Sequence, residues 1–213
     1  VDVHGGWCDA SGDTSKYLSH LSYANYMNPQ QTPLVVWNML AVLKHLKDGL
    51  DTNGLELKDI TAKLISEAAY GADFLVRMQD DTGYFYTNVF DRWSKSPDDR
   101  RICSFKGQNG ERSEDYQAGY RQGGGMAIAA LARAFCSGIS GEYKGEQYLK
   151  TAVQGFEHLE EHNKEYLDDG KENIIDDYCA LLASAELYSA TGEKYFLNVA
   201  SLRAVSLSRR VMD

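Results

Sequence analysis

Apolar positions recur three and four residues apart along most of the chain, the spacing that gathers side chains on one face of an α-helix, and they predict six helices. The first opens at Thr32 or Pro33, a cap followed by a proline whose ring presets the helical φ, and carries Val36, Met39, Leu40 and Leu43 inward to about Lys47. The second aligns Leu57, Ile60, Leu64, Ala68, Ala72, Leu75 and Met78, and ends before the turn at Asp80, Asp81 and Gly83. A third is expected from about Gly119 to Phe135, with Met126, Ala127, Ala130, Leu131 and Ala134 inward. The fourth covers roughly Glu146 to His162, the fifth Asn173 to Ala190 and the sixth Lys194 to Arg210. Between the second and third the pattern changes: residues Gly83 to Phe90 alternate aromatic and polar groups (Tyr84, Tyr86), and Ile102 to Phe105 could pair with that segment. A small β or irregular insertion is therefore expected there, followed by a polar loop over residues 106 to 119.

Six helices in antiparallel pairs make an all-α domain, which could be a solenoid, a bundle or half of a helical toroid. The first, third and fifth helices begin near 33, 119 and 173, whereas tetratricopeptide-type arrays keep a fixed period near ~34 residues. Long connections alternating with short ones suit a toroid that builds a site from the loops at one end. The 213 residues read as one domain. The chain begins at Val1 without an initiator Met and stops at Asp213 just after a helix, so a fragment of a longer domain is expected.

Composition narrows the partners. With 43% hydrophobic and 25% charged residues the chain has an ordinary globular makeup, and no apolar run or leader pattern suggests a membrane. A net charge of −9 argues against nucleic acid, whose phosphates require clustered Lys and Arg, and fits a neutral or cationic ligand. Cys8, Cys103, Cys136 and Cys179 form no CxxC pair, which points to reduced thiols and a cytoplasmic location. Arg121 with Gly123 to Gly125 lacks the preceding strand and following Lys of a phosphate loop, so no cofactor is expected, and the glycines are read as permitting close helix packing. His158-Leu159-Glu160-Glu161-His162 has the spacing of an inverted zinc-peptidase motif, but Glu157, Asn163, Lys164 and Glu165 around it describe a solvated helix end, and no metal is expected. Glu114 and Asp115 are read as a solvated turn, and Asp176 and Asp177 as acids placed where a helix N-terminus favours negative charge.

The informative stretch runs from His4 to Trp37. Asp9 and Asp13 flank Ala10, Ser11 and Gly12, a small-residue loop in which Gly12 can take positive φ and let both carboxylates converge. Such a pair can share a water, one orienting it while the other removes its proton as it attacks a sugar carbon. Trp7, Tyr17, Tyr23, Tyr26 and Trp37 lie nearby, flat rings of the kind that stack on pyranose faces, although in a helical protein such rings more often belong to the core.

The run Gly5-Gly6-Trp7-Cys8-Asp9-Ala10, a following Asp, and Lys16-Tyr17 resemble the N-terminal signature of glycoside hydrolase family 9. Tyr120 to Gly125 and Asp176 to Leu182 resemble later segments of that family in the same order. The resemblance implies the N-terminal half of an (α/α)6 barrel and inverting hydrolysis of β-1,4 glycosidic bonds. By position, Asp9 would hold the attacking water and Asp13 would be the general base, with Trp7, Tyr17, Tyr23 and Trp37 as substrate-binding rings. The spacing D-A-S-G-D carries one residue more than the common pattern, and with residues 17 to 37 it resembles the exo-β-D-glucosaminidase and endoglucanase-related branch of chitin-degrading marine bacteria. That extra residue leaves either carboxylate able to swing into the attacking position; Asp13 is favoured. The branch implies glucosamine oligosaccharides as substrate, with a cellulase-type endoglucanase as the alternative. An inverting glycosidase also needs a general acid about 6.5 to 9.5 Å from the base. In this family it is a Glu in the C-terminal half of the domain, which is expected to be missing here, so this chain alone is expected to be inactive. A non-catalytic helical-repeat binding protein would leave the paired-Asp segment unexplained.

Overall fold

The computed structural model describes residues 2–8, 12–21, 27–28, 31–49, 55–106 and 109–212. Short strands β1 (Lys16–Tyr17), β2 (His20–Leu21) and β3 (Met27–Asn28) precede helices α1 (Thr32–Gly49) and α2 (Leu55–Arg77). An insertion follows, built from β4 (Phe85–Tyr86), β5 (Asn88–Phe90), β6 (Arg101–Ile102), β7 (Ser104–Lys106), β8 (Glu111–Ser113) and β9 (Gln117–Ala118). The chain ends in helices α3 (Gly124–Cys136), α4 (Gly145–His162), α5 (Ile174–Thr191) and α6 (Lys194–Met212).

Helix α1 packs on α3 and α3 on α5, while α2, α4 and α6 lie against their respective partners in the row. This two-layer arrangement follows from composition. The central helix α3 is buried on nearly every side, with Met126, Ala127, Ile128, Ala129, Ala130, Leu131, Ala132 and Ala134 all enclosed, and its many alanines let three helices approach it closely. By contrast α2 and α4 alternate buried and exposed positions as one-sided helices do. Helix α5 starts with a capping box, in which the Asn173 side chain accepts from Ile175 N–H and Asp176 takes the Asn173 N–H, and stops at Gly192 in the left-handed region. Only Gly192 and Glu193 then separate α5 from α6, so the two pack as an antiparallel hairpin. Val35 and Val42 on α1, Tyr178 and Tyr188 on α5, and Leu202 and Val205 on α6 are exposed, which leaves apolar surface open at both ends of the row.

The long non-helical stretches before α1, α3 and α5 meet one another. Strand β5 sits between β1 and β6, pairing Val89 with Lys16 on one side and with Ile102 on the other. Tyr120 N–H donates to Asn163 Oδ1 at 2.7 Å and Gln122 Nε2 to the Tyr166 carbonyl at 3.1 Å, joining the stretch before α3 to the one before α5.

Two expectations are corrected. The third helix begins at Gly124 instead of Gly119, because Gly123 adopts φ +104° and residues Tyr120–Gln122 form a 3₁₀ turn first. The polar stretch 106 to 119 is not an open loop: Glu111–Ser113 pairs with Ser104–Lys106, and Gln117–Ala118 with Phe85–Tyr86. Its charged residues hid the pattern, since strands of two or three residues are too short to show alternation. The helix-opening glycines do allow close packing: a Cβ on Gly125 would lie 2.9 Å from the Cβ of Cys179 on α5. Replacing Gly125 with alanine is therefore expected to force α3 and α5 apart and cost about 1–3 kcal/mol, read as a lowered thermal midpoint; an unchanged midpoint would show that this contact relaxes freely.

Candidate active site

Gly5 and Gly6 both adopt positive φ, +87° and +61°, and let the N-terminal segment lie against Phe74 of α2, where a Cβ on Gly6 would fall 2.8 Å from the ring. Two buried basic groups fasten this turn. The Lys16 ammonium donates to the Gly5 carbonyl and lies 5.5 Å from the centre of the Phe74 ring, and burial pushes its pKa below the ordinary lysine value. The Arg77 guanidinium pairs with Glu142 and, at 3.5 Å, with Asp2, and lies over the Tyr143 ring. His4 completes the clamp, its Nδ1 2.7 Å from Asp2 and its Nε2 3.0 Å from Glu142.

Beyond this anchor the loop reaches Gly12 at φ +83° and then Asp13. Asp13 is 7% exposed, and its Oδ1 accepts the Ser15 N–H at 2.8 Å. The next residues are held by Asp91, at the end of β5 and 0% exposed. Its Oδ2 accepts from Thr14 N–H at 2.8 Å and Thr14 Oγ1 at 2.9 Å; its Oδ1 accepts from Ser15 Oγ at 3.1 Å and Trp93 N–H at 2.8 Å. Ser15 Oγ in turn accepts the Asp91 N–H at 3.0 Å. Burial pushes the Asp91 carboxyl up, but these hydrogen bonds outweigh it and leave the group below its ordinary pKa, as an anion. A cavity of about 340 Å³ flanks the same sheet, lined by Val3, Val89, Arg100, Arg101 and Ile102.

The expected site residues fare differently. Asp9 and Tyr23, with Tyr26, lie outside the described residues. Trp7 is half-buried, its ring against Gly71 and edge-on to Tyr70, with its indole N–H 3.3 Å from Glu67. Tyr17 is 3% exposed and packs with Phe90 and Cys103. Lys16, the other residue of β1, is buried as well, so the Tyr17 ring is enclosed in this structure. Trp37 links three helices: its N–H donates to Glu186 of α5 at 2.9 Å, and the Arg133 guanidinium of α3 stacks 4.2 Å from its ring centre. His158 and His162 are engaged by Tyr166 at 2.6 Å and Glu165 at 3.1 Å. Asp176 and Asp177 do more than favour a helix dipole: they bind Arg121, and Arg203, Arg210 and Ser206, respectively. Asp91 gives no signal in the sequence, because a single acid after Val89 and Phe90 forms no motif or characteristic spacing.

The model of glycosyl hydrolase family 9 matches residues 1–210. The chain belongs to this family. Among solved structures it is similar to the endoglucanase CelQ from Clostridium thermocellum complexed with cellotetraose, at 22% identity and a TM-score of 0.62, over 95% of this chain and 30% of that one. It is also similar to the endoglucanase of the termite Nasutitermes takasagoensis, at 18% identity and a TM-score of 0.60, over 97% of this chain and 46% of that one. A family 9 protein of Bacteroides ovatus matches at 19% identity and a TM-score of 0.62, over 93% and 37%. The chain thus spans less than half the length of these relatives. Their fold is an (α/α)6 barrel, of which the two helical layers seen here are a part. No curated protein matches the sequence.

Family membership makes the clamp on the Gly5-Gly6 turn testable. Hydrogen bonds donated by its ring to Glu142 first, then to Asp2, raise the His4 pKa above its ordinary 6.5. A raised folded value means the stabilisation is present below that pH and is lost as pH rises through the folded value. Wild type is therefore expected to have a higher thermal midpoint than His4→Gln at about pH 5.5 and no advantage at about pH 8.5; a difference independent of pH would show that protonation plays no part.

Proposed function

We propose that this chain supplies the water-activating side of an inverting glycosidase. Asp13 is the general base and Asp9 holds the attacking water. A carboxylate removes the water's proton as the oxygen attacks the anomeric carbon from the face opposite the departing sugar, which inverts that carbon. The observation that carries this reading is the setting of Asp13: a nearly buried carboxylate with one oxygen fixed by Ser15 N–H, on a loop fastened by Lys16 on one side and Asp91 on the other. A base held this way needs little reorganisation when it takes the proton. The acid that protonates the leaving oxygen is assigned to the part of the family fold that this chain does not cover.

For the substrate, the D-A-S-G-D spacing and the net charge of −9 support β-1,4-linked glucosamine oligosaccharides cleaved from one end, because a glucosamine amine is largely cationic at neutral pH. A second reading, an endoglucanase acting on uncharged β-glucan, is favoured by Arg100 and Arg101, two cationic residues lining the cavity beside β5, which would disfavour an ammonium there. The endoglucanases among the structural relatives are in keeping with it.

In the full-length protein, Asp13→Asn is expected to lower kcat by roughly three orders of magnitude or more with folding intact; near-wild-type turnover would remove Asp13 from the role. Proton NMR of fresh product from glucosamine tetramer and from cellotetraose distinguishes the readings. The α-anomer should appear first, and a faster reaction with the glucosamine tetramer is expected. Faster cleavage of cellotetraose would establish the endoglucanase reading, and an initial β-anomer would exclude inversion.

A further inference from the structure

Asp91 lies one hydrogen-bonded residue away from the candidate base, and its environment is more restrictive than packing requires. Its two oxygens take four donors, from Thr14, Ser15 and Trp93, and among the described residues no Lys, Arg or His pairs with it. Ser15 is the relay. Its hydroxyl both donates to Asp91 Oδ1 and accepts the Asp91 N–H, while its own N–H donates to Asp13 Oδ1. Fixing residues 14 and 15 therefore fixes the direction of the N–H that holds the Asp13 carboxylate.

The chain after Asp91 is also strained. Arg92, Trp93 and Lys95 have φ of +58°, +60° and +60°, a left-handed conformation that costs side-chain-bearing residues energy and persists only where surrounding contacts enforce it. The bond from Trp93 N–H to Asp91 Oδ1 is one such contact. Asp91 thus joins a strained turn to the loop of the base.

We propose that Asp91 is a positioning residue for Asp13, acting through Thr14 and Ser15 to hold the base carboxylate at its working angle toward the attacking water. The proposal rests on the reading of Asp13 as general base. Asp91 touches neither water nor substrate; its contribution is geometric. Asparagine at this position keeps the size but turns one acceptor oxygen into an N–H₂ that faces donors, so the Thr14–Ser15 anchor loosens while the outline of the loop stays.

The test compares wild type, Asp91→Asn, Asp13→Asn and the double variant in the full-length protein, with enzyme in excess so that slow product formation is still read, and with folding checked by circular dichroism and thermal midpoint. Asp91→Asn is expected to lower kcat by roughly 10- to 100-fold with KM unchanged, as a small misplacement of a catalytic group does. The double variant should be no slower than Asp13→Asn alone, because a residue that acts only through Asp13 has nothing left to position. A folded Asp91→Asn with wild-type kcat, or a double variant slower by the product of the two single losses, overturns the proposal. If Asp91→Asn fails to fold, Ser15→Ala removes only the hydroxyl relay and should lower kcat in the same direction; wild-type kcat there overturns it equally. An Asp13→Asn variant with full turnover overturns the base assignment itself, an outcome distinct from all of these.

Discussion

At the head of α3 three consecutive glycines set how closely the parts of this half-domain can come together. A Cβ on Gly123 would fall 2.6 Å from the Cβ of Leu18, one on Gly124 2.8 Å from the Ala118 carbonyl oxygen, and one on Gly125 against Cys179 of α5. The N-terminal segment, the β insertion and the helix row thus converge where no side chain fits. Leu18 follows β1, and its N–H donates to the Thr87 carbonyl, so the approach permitted at Gly123 fixes the level at which β1 meets β5. That pairing brings Ser15 to Asp91. The geometry around Asp13 is in this sense inherited from the absence of three Cβ atoms on a buried helix.

Charge is managed in two ways. On the side of α4, α5 and α6 the acids are met by arginines: Arg203 binds Glu160, Glu172 and Asp177, Arg210 binds Asp177, and Arg121 binds Asp176. Elsewhere, buried carboxylates are solvated by neutral donors. Asp73 takes the N–H groups of Glu142 and Tyr143 and the Tyr148 hydroxyl, and Asp91 takes Thr14, Ser15 and Trp93. Both devices satisfy a buried charge, but the second fixes backbone atoms, and so it serves where a loop must be held in place.

The helices were legible because each buries a stripe or a whole surface of apolar residues, and apart from the start of α3 the observed boundaries lie close to those expected from spacing. The β insertion was only partly legible. Val89 and Ile102 do pair, but strands two or three residues long carry too few positions for alternation to show, and Glu111–Ser113 reads as polar loop. For the candidate site, Gly12 takes the positive φ expected of it, and Asp13 is nearly buried. The aromatic residues were harder to interpret, since ring type alone does not distinguish a sugar platform from a core residue. Tyr17 is enclosed by Phe90 and Cys103, and Trp37 is held by Glu186 and Arg133. Asp91 was out of reach because its significance comes from a strand pairing, not from its neighbours in sequence.

The ties between Asp91 and residues Thr14 and Ser15 span sequence separations of 77 and 76 residues, whereas α5 and α6 are joined by a two-residue turn and close locally. Contacts between distant positions form slowly, since the chain must surrender the freedom of the intervening loop before gaining them. The helical hairpins can therefore condense while the Asp13 loop is still open, and the loop reaches its final shape only once β5 is in place. During synthesis Asp13 emerges before residue 91, so its loop stays open until β5 has been made. The shape of the Asp13 loop is thus set by residues made some 76 to 77 positions after it.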